Sequence, residues 1–211
     1  MDLSSFDLKE LNLLLYALAY ILGSIPFGLI LAKSFAKVDV RASGSGNIGA
    51  TNVLRVIKEK DPKLAKKLSF FTLLLDAFKG IYVLLLATYL DVPEATLWGV
   101  AVLAVVGHTM SIFLFFEGGK GVATGLGVLT FMLPIEGLIG LFIWLFFGKV
   151  LKISSVASLF SIVSIFVVSY FISPDITHVP VGIITAIIFY KHIPNIERMI
   201  MGQETAVLKK S

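Results

Sequence analysis

The residues best suited to chemistry fall in three polar stretches. The first is Arg41-Ala-Ser-Gly-Ser-Gly-Asn-Ile-Gly-Ala-Thr-Asn-Val-Leu-Arg55. Successive glycines let backbone N–H groups converge on an anion, as in phosphate nests and at helix N-termini. Ser45, Asn47 and Thr51 add side-chain donors. If a helix begins near Thr51, Arg55 lies one turn on along the same face, where its guanidinium can grip a phosphate through two hydrogen bonds. An isolated Ser-Gly-Ser-Gly reads as a flexible linker, but the interleaved Asn and the closing Arg favour an anion site. The second stretch is Glu117-Gly-Gly-Lys-Gly-Val-Ala-Thr-Gly125, in which Gly118, Gly119 and Gly121 surround Lys120. It also suits an anion. It is not a nucleotide-binding P-loop, because Gly121 follows Lys120 where Ser or Thr is required and Leu114 stands where the first glycine belongs. Its plain alternative is a turn between helices with a solvated lysine. The third is His192-Ile-Pro-Asn-Ile-Glu-Arg198, continued to Glu204.

The elements that must hold these stretches are apolar. Of 211 residues, 57% are hydrophobic and 15% charged, and the apolar residues come in blocks instead of alternating with polar ones. That pattern gives an all-α integral membrane protein, one polytopic bundle over residues 1–211. Helices are expected near 11–33, 68–90, 95–116, 122–135, 137–151, 155–172 and 179–191. Two of these seven, 122–135 and 179–191, are short enough to be partial or tilted spans, with Pro134, Pro180 and Pro194 as breaks, so five spans stay possible. The start of the chain lacks the positive region of a cleaved signal peptide, and the first run is expected to persist as a helix. There is no cysteine, which excludes disulfide and thiolate chemistry.

Charge orients the bundle. Residues 33–67 hold nine of the eighteen Lys and Arg residues, which makes that loop cytoplasmic by the positive-inside rule. Alternation then puts Lys120, Lys149, Lys152, Lys191, Arg198, Lys209 and Lys210 inside, and Asp2, Asp91, Glu94, Glu136 and Asp175 outside. The N-terminus is outside and the C-terminus cytoplasmic. A net charge of +4 spread on such a face attracts anionic head groups and phosphorylated solutes more simply than nucleic acid. In that setting the third stretch alone reads as a basic tail beside the membrane, and Ser154, Ser155 and Ser158 as capping or packing residues.

Within the bilayer Asp76 and Lys79, spaced i,i+3, can meet on one helix face. A structural ion pair is favoured over catalysis there, and His108 reads as an interhelical hydrogen bond. Neither a metal-ligand cluster nor a His-x4-Asp dyad occurs: Phe113, Ile183 and Glu197 follow the three histidines at that spacing.

Taken in order, Gly23-Ser-Ile-Pro-Phe-Gly28, Gly44-Ser-Gly-Asn-Ile-Gly-Ala-Thr-Asn52, Asp76-Ala-Phe-Lys-Gly80, Gly107-His108, Gly118-Gly-Lys-Gly-Val-Ala123 and His192 to Glu204 resemble the bacterial acyl-phosphate:glycerol-3-phosphate acyltransferases, the PlsY family. The match runs nearly end to end. Two departures stand out: Ile193-Pro194 replaces the family's frequent Arg-Glu, and Ser111 stands where some members have Pro. The resemblance implies a seven-helix enzyme of the bacterial inner membrane, functional as a monomer without cofactor, with its site facing the cytoplasm. It would move an acyl group from acyl phosphate to the 1-hydroxyl of glycerol 3-phosphate, giving lysophosphatidic acid and phosphate. By position, Ser45 and Arg55 match essential residues of the first motif, and Gly118 to Gly121 match the glycerol-phosphate loop. His192 and Asn195 match activity residues of the third motif, and Glu204 a glutamate of structural importance. Ser158, Asn47 and Thr51 match residues lining the site.

Chemistry agrees with the resemblance. Both substrates carry phosphate, so two anion cradles on one face and an apolar slot between helices are what the reaction needs. Acyl phosphate is a mixed anhydride with a good leaving group, which lessens the need for a strong base. Lys120, Arg55 and loop amides would orient both phosphates and stabilise the oxyanion, while the hydroxyl proton goes either to a substrate phosphate or to His192. Two other classes remain: a transporter of phosphorylated solutes, which would show a repeat between halves that is not found here, and a structural lipid-binding protein, which would not need three such motifs.

Overall fold

A computed structural model describes residues 8–204, and every regular element among them is a helix. The expectations for Asp2, Lys209 and Lys210 lie outside the described residues. Helix α1 (Leu8–Ser24) stops before Pro26, which has no N–H to continue the ladder. A short α2 (Phe27–Leu31) follows and widens into a π turn over Ala32–Ala36, so the single helix expected over 11–33 is broken. Carbonyls freed at such a break need donors in apolar surroundings. Ser111 Oγ donates to the Ser24 carbonyl at 2.6 Å and Lys79 Nζ to that of Ile25 at 3.1 Å.

Helix α3 (Ala50–Lys58) lies in the basic loop, and α4 (Pro62–Tyr89) begins well before the expected residue 68. The reason is a cap: Asp61 accepts from the N–H groups of Lys63 and Leu64 at 3.0 and 2.9 Å, with Pro62 in the first turn. Helix α5 (Glu94–Thr109), a 3-10 turn at Ile112–Leu114 and α6 (Val122–Met132) come next. They are followed by α7 (Pro134–Leu151), α8 (Ser154–Ile172), α9 (Val179–Lys191) and α10 (Ile193–Ile200). Pro134, Pro180 and Pro194 open helices, as the first turn tolerates proline.

Each expected helix has a counterpart, though the first is broken at Pro26 and the one expected over 95–116 stops at Thr109, and they are not seven full crossings by length. Among the described residues five segments are long and apolar enough to span, and the pair α9 and α10, bent by 55°, makes a sixth if counted together. Helix α6 has 11 residues and so rises about 16 Å, roughly half of a hydrocarbon core.

Helix α4 is the hub. It packs on α1, α3, α5 and α6, while α7 and α8 form a hairpin that packs against the short α6 and, through α8, against α9. Val83, Leu84, Val100, Ala104, Val128, Leu129, Ile165 and Ile184 fill the shared core. Val40, Val53, Ile57 and Ala65 form a second, smaller core that pins α3 and its loop to the start of α4. Large apolar side chains such as Phe142, Phe171 and Tyr82 cover the outside, where lipid is their solvent. Because α6 is short, the space beyond its N-terminus stays open between α4, α7 and α8.

Candidate active site

That space is a cavity of about 1160 Å³. Ser45, Asn47, Thr51 and Arg55 from the first motif reach its wall, as do Lys120 and Gly121 from the second and His192, Asn195 and Glu204 from the third, with Ser158 from α8. Three stretches far apart in sequence thus share one chamber.

The first motif is shaped by a residue that sequence reasoning left without a role. Asn52 is buried at the start of α3, and its Nδ2 donates to the carbonyls of Val40 and Asn47, each at 2.8 Å, and of Ser43 at 3.2 Å. Its Oδ1 accepts the Ser45 N–H at 2.8 Å. The loop is therefore coiled around one carboxamide, and the exposed Ser45 hydroxyl is left available to the cavity. Asn47 Oδ1 accepts from the Gly49 N–H at 2.8 Å, which orients the entry to α3.

A chain of polar contacts then ties the motifs together. Thr51 Oγ1 and Ser154 Oγ lie 3.1 Å apart, joining α3 to the first turn of α8. The next residue, Ser155, donates to Glu204 Oε1 at 2.7 Å. Glu204 also accepts from Asn195 Nδ2 at 2.6 Å and from Arg198 Nε at 2.8 Å, and Asn195 Oδ1 in turn accepts from Lys120 Nζ. Burial pushes the Glu204 carboxyl upward, but the hydrogen bonds from Asn195, Ser155 and Arg198 outweigh it and hold the group below its ordinary value. Burial pushes the Lys120 ammonium down to about 8; Glu204 opposes this, while the positive Arg198 and Arg55 add to it.

Among the helices that begin at this cavity, three enter it after a residue with no side-chain cap and without a proline in their first turn. They are α3 after Gly49, α6 after Gly121 and α8 after Ile153. Unspent N–H donors and the positive end of the helix dipole make each a place for an anion. The loop amides behave differently from the sequence expectation. Gly118 and Gly119 donate their N–H groups to the carbonyls of Thr109 and His108, at 3.2 and 2.9 Å, which caps the end of α5. Those two glycines place Lys120; the donors left to a ligand are the Lys120 ammonium protons not given to Asn195 and the first turn of α6, entered through Gly121 at φ +83°.

His192 is buried where α9 meets α10, and its Nδ1 lies 2.7 Å from the Ile188 carbonyl. A carbonyl only accepts, so Nδ1 carries the proton and Nε2 keeps a lone pair. Ser158 Oγ donates to the Ser154 carbonyl at 2.8 Å and accepts from Trp144 Nε1 at 3.3 Å.

Asp76 and Lys79 close to 3.0 Å in the interior, and His108 Nδ1 lies 2.8 Å from the same Nζ. Both Asp76, in the middle of α4, and His108, in the last turn of α5, also reach the cavity wall, which their places in apolar runs did not reveal. Arg55, Lys66, Lys120, Lys149, Lys152 and Arg198 are its cationic residues, against only Asp76 and Glu204, each already paired. The remaining wall is an apolar arm formed by Phe70, Leu73 and Leu74 of α4, Leu126 of α6, and Leu141 and Leu145 of α7. Phe70 and Leu145 are more than half exposed, so this arm opens to the lipid side.

Comparison with known proteins gives this geometry its context. A family model described as glycerol-3-phosphate acyltransferase matches residues 13–202. The glycerol-3-phosphate acyltransferase of Sulfurimonas denitrificans is 55% identical over 93% of this chain and 97% of its own. That of Campylobacter concisus is 53% identical over 93% and 99%. Among solved structures, the integral membrane glycerol 3-phosphate acyltransferase PlsY (YgiH) in its glycerol 3-phosphate form superposes with a TM-score of 0.79 at 34% identity, covering 92% of this chain and 94% of that one. Its lysophosphatidic acid form gives 0.77 at 33%. With the model matched over nearly its whole length and relatives this close, the chain belongs to the glycerol-3-phosphate acyltransferase family.

Proposed function

We propose that the chain transfers a fatty acyl group from acyl phosphate to the 1-hydroxyl of glycerol 3-phosphate, releasing lysophosphatidic acid and inorganic phosphate. The observation that carries this reading is the single cavity in which three uncapped helix N-termini and an unbalanced set of cations meet an apolar arm open to lipid. Two phosphates and one acyl chain are the ligands such a chamber fits. The related PlsY structures are described as holding glycerol 3-phosphate and lysophosphatidic acid, an acceptor and a product of this reaction.

The acyl chain lies in the arm between α4 and α7, with its phosphate toward Ser45, Arg55 and the start of α3. Glycerol 3-phosphate enters from water and sets its phosphate against Lys120 and the first turn of α6. The 1-hydroxyl oxygen attacks the acyl carbonyl carbon, the bond from that carbon to the phosphate oxygen breaks, and an ester is left. His192 Nε2 accepts the hydroxyl's hydrogen bond and aligns it, and the proton ends on the departing phosphate. Catalysis is by orientation and by donors fixed where negative charge develops. Asn195 and Glu204 hold Lys120 in place, and Thr51, Asn47 and Ser158 shape the wall around the substrates.

The cavity side is cytoplasmic in this reading, since the basic loop and Lys120, Lys191 and Arg198 share it. Helix α6 sits in the bilayer as a half-span and completes the set of seven. An impermeant thiol reagent should fail to label a cysteine at position 58 in intact cells, and efficient labelling would reverse the orientation. The activity itself is tested with purified protein, glycerol 3-phosphate and acyl phosphate. Lysophosphatidic acid and phosphate should appear in equal amounts, and phosphate without acylated product would contradict the reading.

A further inference from the structure

Lys79 carries three protons and has three acceptors: the Ile25 carbonyl at 3.1 Å, Asp76 Oδ1 at 3.0 Å and His108 Nδ1 at 2.8 Å. With each proton spent, His108 Nδ1 is an acceptor, and the neutral imidazole must carry its own proton on Nε2. The ring is buried, at 4% exposure, yet it lies on the wall of the cavity. Nε2 has no hydrogen-bond partner among the described residues and is not one of their fully enclosed unpartnered atoms, so it keeps some accessible surface and a ligand in the cavity can supply its acceptor.

The neighbour of that nitrogen is the loop that carries Lys120. A Cβ placed on Gly119 would stand 2.1 Å from His108 Nε2, so the absence of a side chain there is what leaves room for the ring. The Gly119 N–H is bound to the His108 carbonyl, which locks the loop to the same residue. The cluster offers no net repulsion to an anion, because the Asp76 charge is answered by Lys79.

We propose that His108 is a further substrate-contacting residue, donating Nε2–H to a phosphate oxygen held beside Lys120. Asp76 and Lys79 act behind it and fix the tautomer. This rests on reading the cavity as the acyltransfer site, and it gives the buried triad a task besides joining helices α4 and α5.

Two substitutions separate the donor from a packing role. In His108→Asn the side-chain oxygen takes the place of Nδ1 and keeps an acceptor for Lys79, but nothing stands at Nε2. In His108→Gln the amide nitrogen reaches the Nε2 position while the acceptor for Lys79 is displaced. With glycerol 3-phosphate and acyl phosphate as substrates, the Asn variant should lose about ten- to hundredfold in kcat/KM while keeping its unfolding temperature. The Gln variant should stay within about threefold of wild type while unfolding at lower temperature. Rate and stability would then rank the two variants in opposite orders, which a merely structural histidine cannot produce. Wild-type kcat/KM in the Asn variant, or equal loss in both, would overturn the proposal. No turnover by the wild-type protein with these substrates would instead overturn the reading of the cavity.

Discussion

Lys120 Nζ donates to Asn195 Oδ1 across 75 residues of sequence, joining the loop before α6 to the short helix α10. Glu204 fastens the far side of the same carboxamide, so the lysine is aimed by a residue whose own orientation is set by a third. Removing that support should be distinguishable from removing the lysine. Glu204→Ala strips acceptors from Asn195, Ser155 and Arg198, and is expected to lower stability by about 1–3 kcal/mol and to loosen residues 193–204 in hydrogen exchange. Lys120→Ala should leave exchange there unchanged and cut kcat/KM by about a hundredfold.

The state of Lys120 also sets a pH limit. Its ammonium is held down to about 8, chiefly by burial, and the charged form exists below that value. If the charge binds phosphate, kcat/KM should be maintained below about pH 8 and fall as pH rises through it. Lys120→Arg, which stays protonated, should abolish this alkaline limb in whatever activity it retains. An unchanged limb in the Arg variant would assign it to another group.

The first motif offers a cleaner separation of structure from chemistry. Asn52 makes four hydrogen bonds that coil the loop, whereas Ser45 is held through its backbone and leaves its hydroxyl to the cavity. Asn52→Ala should destabilise the protein by about 1–3 kcal/mol. Ser45→Ala and Arg55→Ala should leave thermal unfolding unchanged and each lower the rate by about a hundredfold or more. Wild-type rates in either would return the stretch to a linker.

For the second motif the geometry reassigns the glycines. Gly119→Ala drives a Cβ into the His108 ring, which Lys79 holds in place, so the loop must move and carry Lys120 with it. Steady-state kinetics on both substrates should show kcat falling along with a raised KM for glycerol 3-phosphate. Gly121→Ala, at φ +83° and with a Cβ 2.9 Å from Thr109, strains the entry to α6 and should raise that KM with a smaller effect on kcat.

How much of this was legible in sequence follows from what kind of force set each feature. The long spans were, because apolar blocks of membrane length have few other uses. Helix α4's early start was not, since it depends on the cap at Asp61, and neither was the break at Pro26, whose freed carbonyl is answered by a lysine on another helix. Helix α10 went unseen because it is short and carries Asn195, Glu197 and Arg198 among its eight residues. In the site, residues types with strong anion chemistry, Arg55 and Lys120 among them, stood out. Asn52, Ser154 and Ser155 did not, because their roles come from contacts with distant segments. The fate of the Gly118 and Gly119 amides was likewise hidden, since their acceptors sit at the end of α5.

The central claim is the identity of the acyl donor, and it is tested most directly by giving purified protein glycerol 3-phosphate with acyl phosphate, acyl-CoA or acyl carrier protein in separate reactions, with and without EDTA. Lysophosphatidic acid should form from acyl phosphate, at the same rate with chelator as without. Formation from acyl-CoA or acyl carrier protein but not from acyl phosphate would contradict the assignment of the donor, and loss of activity in EDTA restored by magnesium or zinc would contradict catalysis by protein donors alone.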